Sequence, residues 1–296
     1  MKKRIAGYLM PKTKKYVFFI GCLCLLSLGL VALSMQTEET AKLPAKTDIR
    51  LPVLMYHSVL DNPNRVGKYV ILPSELEKDL EYLKDRGYQT VTVQDLIAYK
   101  EQDVPLPQKP IMLTFDDGYY NNYTYLFPLL KKYNMKAVLS VVGCFADAYS
   151  KEGEVLNNNY SHATWTQLKE MQDSGLVDIQ SHSYGMHDWN ARHGILRNKG
   201  EDVAYYQNIL HDDLIKMQET MKQKLKRPAD AFAYPFGSVN NESRKVVESM
   251  GYKVTLGCEE GMNYINKEST LKDLKRYNRD GNGDRTKLFS RLEAEM

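Results

Sequence analysis

From residue 51 onward, short apolar runs alternate with amphipathic helical stretches, and no other property of the chain restricts its fold as much. Runs at 53–57, 90–93, 111–115, 137–142, 177–180, 231–234 and 253–256 have strand length. Between them, Ser74 and Glu77 form a capping-box pattern around Leu76, Leu80 and Leu83, which share one helix face. Thr164 and Gln167 repeat the pattern before Leu168 and Met171. Leu210, Leu214, Met217 and Met221 stripe a longer helix as core residues. Strand–helix repetition of this kind predicts a parallel α/β sheet, either a closed barrel or a doubly wound layer. In a barrel, chemistry belongs at the C-terminal ends of the strands. His57, Asp116, Asp117, His182 and Tyr234 all fall at or just past such ends.

Thr114-Phe115-Asp116-Asp117-Gly118 puts two adjacent carboxylates at the end of an apolar run. Within a strand, neighbouring side chains point to opposite faces; at a strand end that turns into a loop, both can enter one cavity. Two ionised carboxylates in an apolar-walled cavity repel and cost desolvation unless a cation or a proton compensates them. The motif therefore asks for a metal, a shared proton or one of each, the simpler alternative being an Asp-Asp-Gly turn that faces water. Ser181-His182-Ser183-Tyr184-Gly185-Met186-His187 supplies two histidines five apart, a spacing that fits neither one helix face nor one strand face. They converge only if the chain turns sharply between them, which Gly185 allows. Two imidazoles and a carboxylate make an ordinary catalytic metal set with positions left open for water and substrate.

His57, at the end of the first run, is suited to protonating a leaving amine near neutral pH, or simply to hydrogen bonding at a barrel mouth. In Phe232-Ala233-Tyr234-Pro235-Phe236-Gly237, Pro235 biases Tyr234 toward extended geometry. The Tyr234 amide is then a candidate oxyanion donor, and a strand end with packed rings is the alternative. Trp189 follows His187 by two residues and is a candidate for stacking on a sugar face, or a lid. His162, His193 and His211 have loop-like or helix-surface neighbours and receive no role. Asp280-Gly281-Asn282-Gly283-Asp284 imitates a calcium loop, but Arg285 and Arg291 occupy its glycine and bidentate positions, so it reads as a turn before the last helix.

Residues 16–35 form an almost unbroken apolar run of bilayer-crossing length. Six basic residues precede it with no acidic one, which places the N-terminus in the cytoplasm and the rest outside. The run is read as an uncleaved anchor, with a cleaved signal at Ala32-Leu33-Ser34 as competitor. The chain's 40 basic residues include those six, so the remainder carries 34 against 37 acidic ones, a net of about −3. The basic character belongs to the membrane flank and gives no support to nucleic-acid binding. Cys144 and Cys258, the cysteines beyond the run, read as small buried hydrophobes. The expected organisation is a basic flank at 1–15, anchor or signal at 16–35, tether at 36–50 and one catalytic domain at 51–296.

In order, Met55-Tyr56-His57-Ser58, Thr114-Phe115-Asp116-Asp117-Gly118, Ser181-His182 with His187, and Ala233-Tyr234-Pro235-Phe236-Gly237 resemble the polysaccharide deacetylases. These are the NodB-homology domains of carbohydrate esterase family 4, and the resemblance covers residues 51 to 280. It implies a distorted (β/α) barrel of about seven strands. It also implies Asp116 as base, and Asp117, His182 and His187 as ligands of one divalent metal, zinc foremost, with cobalt, nickel, iron or manganese also suited. The histidine spacing is one longer than in many members, Phe232 precedes Ala233 in place of an arginine-bearing motif, and no histidine follows His211. These departures are similar to the branch that deacetylates poly-β-1,6-N-acetylglucosamine, in which the first-strand histidine, here His57, serves as acid. Leu274-Lys275-Arg276 looks like that branch's Leu/Ile-Pro-Arg strand, with Lys275 in place of proline; Arg276 and Trp189 stand as expected substrate contacts. The implied activity is removal of N-acetyl groups from an extracellular N-acetylglucosamine polymer. Peptidoglycan or chitin oligomers are the rival substrates, and an inactive carbohydrate-binding module is the rival of another class. The implied location is the outer face of the cytoplasmic membrane, or the wall and medium if the run is cleaved.

Overall fold

The computed structural model describes residues 48–296. The expected flank and apolar run at 1–35 lie outside the described residues, among which no helix is long and apolar enough to cross a membrane. In chain order the first elements are β1 (Ile49–Leu51), β2 (Val53–Tyr56), β3 (Ser58–Val59), β4 (Val70–Ile71), α1 (Pro73–Asp85), β5 (Gln89–Thr90), α2 (Val93–Gln102) and β6 (Pro110–Phe115). Next come α3 (Phe127–Tyr133), β7 (Ala137–Val141), α4 (Gly143–Tyr149), α5 (Trp165–Asp173), β8 (Val177–Ser181) and α6 (Val203–Leu225). The last are β9 (Ala231–Ala233), α7 (Asn241–Ser249), β10 (Val254–Leu256), β11 (Asn263–Ile265), β12 (Tyr277–Asn278) and α8 (Arg285–Glu295).

The main sheet runs β10-β9-β8-β7-β6-β2-β12, every pairing parallel, with β5 added beside β6. A parallel array of this kind puts all the strands' carboxyl ends at one mouth. The segment 271–279 bonds to β10 at its start, where the Leu274 N–H donates to Thr255 O (2.8 Å), and to β2 at its end, where the Arg279 N–H donates to Met55 O (2.9 Å). The result is a parallel-strand α/β half-barrel, consistent with the expected distorted barrel.

Period-two alternation divides the core. Leu54, Leu113, Leu139, Ile179 and Phe232 pack outward against the helices, in one cluster with Leu80, Leu168 and Leu214. Val53, Met112, Val138, Ala231 and Val254 form a second cluster with Leu96 of α2. Strands buried on both faces read as continuous apolar runs, which is why they stand out in the sequence.

Two expected helix and strand starts are displaced. Helix α1 begins at Pro73, whose fixed φ and missing N–H suit the first helical position, so Ser74 lies inside the helix and caps nothing. The run at 90–93 is only briefly a strand, because Thr92 and Asp95 form a reciprocal cap and open α2 at Val93. The Thr164–Gln167 capping box forms as expected. Cys144 and Cys258 form no disulfide, and Cys258 is exposed rather than a buried hydrophobe.

Candidate active site

Asp116 and Asp117 directly follow β6 at the mouth. Asp117 adopts φ 73° and Gly118 φ 74°, an abrupt left-handed turn that ends the strand. At Gly118 a Cβ would lie 2.9 Å from Val141 Cγ1, so no larger residue fits without displacing β7. Both carboxylates are buried.

His182 directly follows β8, and the chain doubles back to return His187. Ser183 takes a left-handed φ of 73° and the chain bends on through Tyr184 and Gly185; the Ser183 hydroxyl accepts the Met186 N–H at 3.1 Å. Asp213 on α6 then clasps the loop, its two carboxylate oxygens accepting the N–H groups of Tyr184 (2.9 Å) and Gly185 (2.7 Å). From the other side, Gly143 and Cys144 at the start of α4 donate to Ser183 O (3.1 Å) and Tyr184 O (2.7 Å).

This folding brings His187 Nε2 to 3.1 Å and His182 Nε2 to 3.5 Å from Asp117 Oδ1. One ligand atom from each of the three residues lies within 4.8 Å of the others. His182 Nδ1 is 2.8 Å from Ala233 O, which places that ring's proton on Nδ1 and leaves Nε2 a bare electron pair facing Asp117. Asp117 Oδ1 is buried and makes no hydrogen bond of good geometry among the described residues. Two nitrogens and an anionic oxygen thus converge, a donor set that fits one divalent cation of the zinc type. Burial alone would raise the Asp117 carboxyl, but His187, His57 and His182 outweigh it and hold it far below the usual range. Burial depresses His182, whereas at His187 it is overcome by Asp117, which raises the imidazole.

Two expected roles are reassigned. Arg276 is fully buried and does not line the cleft; its Nη1 and Nη2 each lie 2.9 Å from an oxygen of Asp116, and its Nε donates to Gly257 O (2.6 Å). It is therefore the partner of Asp116 and not a substrate contact. Burial pushes the Asp116 carboxyl up, but Arg276, then His182 and His57, hold it below the usual range and so ionised. The Tyr234 amide is consumed in a 3.0 Å bond to Leu256 O, so it is not an oxyanion donor. Two residues on, Phe236 takes φ 58°, and its N–H donates to no group among the described residues. Pro235 is the sequence signal for this turn, and the free N–H lies two peptides beyond the Tyr234 amide.

The cleft has two lobes. The larger, about 870 Å³, is lined by His57, Tyr69, Asp116, His182, Trp189 and Phe236 among others. Trp189 is 63% exposed and meets Phe236 edge-on at 5.1 Å, a geometry open to the sugar-stacking role expected of it. The His57 ring packs on Tyr69 at 4.6 Å, and its Nδ1 has no partner among the described residues. The smaller lobe, about 430 Å³, shares Asp117, Tyr119 and His187 with the larger and adds Arg65, Tyr160 and His162. His162 and His193 carry no motif in the sequence, yet His193 lines the larger lobe and His162 the smaller.

Residues 103–255 match the family model described as polysaccharide deacetylase. A relative from Bacillus subtilis (strain 168), YxkH, is 30% identical over 227 residues, 76% of this chain and 71% of the relative. The poly-beta-1,6-N-acetyl-D-glucosamine N-deacetylase of Escherichia coli (strain K12) is 28% identical over 232 residues, 71% of this chain but only 34% of that protein. The chain thus spans about a third of the length of that relative. The solved de-N-acetylase from Aggregatibacter actinomycetemcomitans superposes with a TM-score of 0.70 at 25% identity, covering 82% of this chain and 99% of the other. The mouth of a parallel-strand α/β half-barrel, with an arginine-held carboxylate beside an Asp-His-His set, is a hydrolase site. The chain belongs to the polysaccharide deacetylase family.

Proposed function

We propose that this enzyme hydrolyses the acetamide of N-acetylglucosamine units in an exported polymer, with poly-β-1,6-N-acetylglucosamine as the substrate. The observation that carries the reading is the pairing of an arginine-held carboxylate, Asp116, with the adjacent Asp117-His182-His187 donor set. Similarity to the Escherichia coli protein supports the β-1,6 polymer over peptidoglycan or chitin oligomers.

Asp117, His182 and His187 would hold the divalent ion. When bound, that ion polarises the acetamide carbonyl and acidifies a water. Asp116 accepts the attacking water's proton, and Arg276 keeps it ionised and oriented to do so. The Phe236 N–H is the donor free to meet the oxygen of the tetrahedral intermediate. His57 donates a proton to the departing glucosamine nitrogen. Trp189 and Tyr69 offer ring faces to the flanking sugars. The products are acetate and a free amine, so each turnover adds a positive charge to a neutral polymer.

We further propose that residues 16–35 hold the enzyme on the outer face of the cytoplasmic membrane. For the chemistry, Asp116→Asn is expected to abolish acetate release while bound metal, measured by elemental analysis, stays at wild-type level. Unchanged turnover in that variant would exclude Asp116 as the base. Acetate release compared on β-1,6-linked, β-1,4-linked and peptidoglycan substrates decides the polymer.

A further inference from the structure

The cleft continues past the donor set. Asp117, Tyr119 and His187 face both lobes, so the reacting centre sits at a waist between them. Both volumes fall in the ~300–1,000 Å³ range of small-molecule sites. A polymer reacting at the waist has the smaller lobe within reach of one neighbouring sugar, and the chemistry of that lobe is distinct.

Its back wall is aromatic. Tyr119 stacks on His162 at 4.9 Å, and Phe145 and Tyr149 enclose the imidazole at 4.5 and 5.7 Å. The loops that carry them are tied together: Tyr119 and His162 form a β-bridge, and the Ala163 N–H donates to Gly118 O at 2.9 Å. His162 Nδ1 is buried with no partner among the described residues. A buried orphan acceptor is better tolerated than a buried orphan N–H, which puts the ring proton on Nε2, the nitrogen left to face the lobe. Burial among rings pushes the imidazole down to about 4, so it is a neutral donor at physiological pH. Tyr160, 59% exposed, stands at the rim as an open ring face.

The charge is one-sided. Arg65 ends a short turn, Pro63–Arg65, with its side chain exposed, and makes no ion pair among the described residues. The one carboxylate lining this lobe is Asp117, which is directed at the two histidines. An ammonium group placed here would face Arg65 with no anion to pair it. An acetamide would offer its carbonyl to the His162 and Arg65 donors and its methyl to the rings.

We propose that the smaller lobe is a subsite for the sugar beside the reacting one, and that it selects that sugar while it is still N-acetylated. The inference rests on the deacetylase reading above. It means that a unit whose subsite neighbour is already a free amine is disfavoured, so adjacent amines form in only one of the two orders along the chain and fall below their random frequency.

Fully acetylated β-1,6-N-acetylglucosamine hexamer, incubated with the full chain, gives products whose amine positions tandem mass spectrometry can read. Adjacent amines are expected below their random frequency. Arg65→Glu is expected to raise that frequency by up to about fivefold, the upper end for one exposed charge. His162→Phe is expected to lower kcat/KM on the hexamer relative to a small acetyl ester, also about fivefold for one hydrogen bond. Acetate release with amines at random positions, in wild type and Arg65→Glu alike, overturns the subsite alone. No acetate from any N-acetylglucosamine oligomer overturns the deacetylase reading and the subsite with it.

Discussion

Arg276 and Asp116 lie 160 residues apart and make a two-point ion pair in the interior, and Arg276 Nη1 also donates to the Thr114 hydroxyl oxygen at 3.3 Å. Removing one member of such a pair leaves the other charge stranded, a loss of about 3–5 kcal/mol. Arg276→Met is therefore expected to lower the unfolding free energy by about that amount, and adding Asp116→Asn to recover much of it, as read by urea denaturation. Equal instability of single and double variants would mean that Arg276 matters for packing rather than for Asp116. A second pair gives a pH-dependent expectation. Arg192 and Glu201 meet at 2.6 and 2.8 Å, mostly out of solvent, and close the loop that carries Trp189 and His193. The Arg192 hydrogen bonds lower the Glu201 carboxyl from 4.5 to about 2. Because the folded value is lowered, the stabilisation is complete above the unfolded value of 4.5 and disappears as pH falls through about 2. The urea-midpoint gap between wild type and Glu201→Gln should accordingly be constant from pH 7 to 6 and shrink at pH 4 and again at pH 3. A gap that does not change with pH would rule out the ion pair as its source.

At the scale of elements, the site depends on a helix that contributes no ligand. Helix α6 packs through Leu210, Leu214 and Met217, and its Asp213 clasps the loop between the two histidines. Asp213→Asn keeps the shape but turns one acceptor into a donor facing an N–H. Loss of a ligand's supporting partner typically weakens metal binding 10–100-fold. We expect about tenfold weaker zinc affinity for Asp213→Asn, measured by competition with a chelating dye, and little change in melting temperature of the metal-free protein. Unaltered affinity would show that α4 alone holds the loop. None of this is visible in the sequence, where Asp213 is one more polar residue on an amphipathic helix. The strands were legible because burial on both faces makes them apolar throughout, and Asp116, Asp117, His182 and His187 because they follow strand ends. What escaped depends on partners distant in sequence or on single dihedral angles. Arg276 reads as a cleft residue until Asp116 is seen behind it, Tyr234 as a donor until Leu256 takes its amide, and Ser183 as an ordinary loop serine until its left-handed φ is seen. His162 escaped because its role depends on the loop bridge to Tyr119.

At the scale of the whole molecule, the described side chains that line the two lobes come from residues 55 to 280. The chain beyond the first 35 residues has a net charge of about −3, while the polymer gains one positive charge per acetate released. An enzyme of weakly opposite charge to its product has a reason to be tethered: a soluble one would drift off with the polymer it has made cationic. Under the anchoring proposed above, the basic flank and apolar run at 1–35 would supply that tether. Two proteins test the division of labour, the full chain and one beginning at Asp48, where the described fold begins. Both are expected to melt at the same temperature and to release acetate from a soluble β-1,6 hexamer at the same rate. They should differ in location alone, the full chain staying in the membrane pellet after an alkaline carbonate wash and the shorter one appearing in the soluble fraction. A full chain that washes free would remove the anchor, and a shorter chain that folds but does not turn over would show that the reaction needs the N-terminal segment after all.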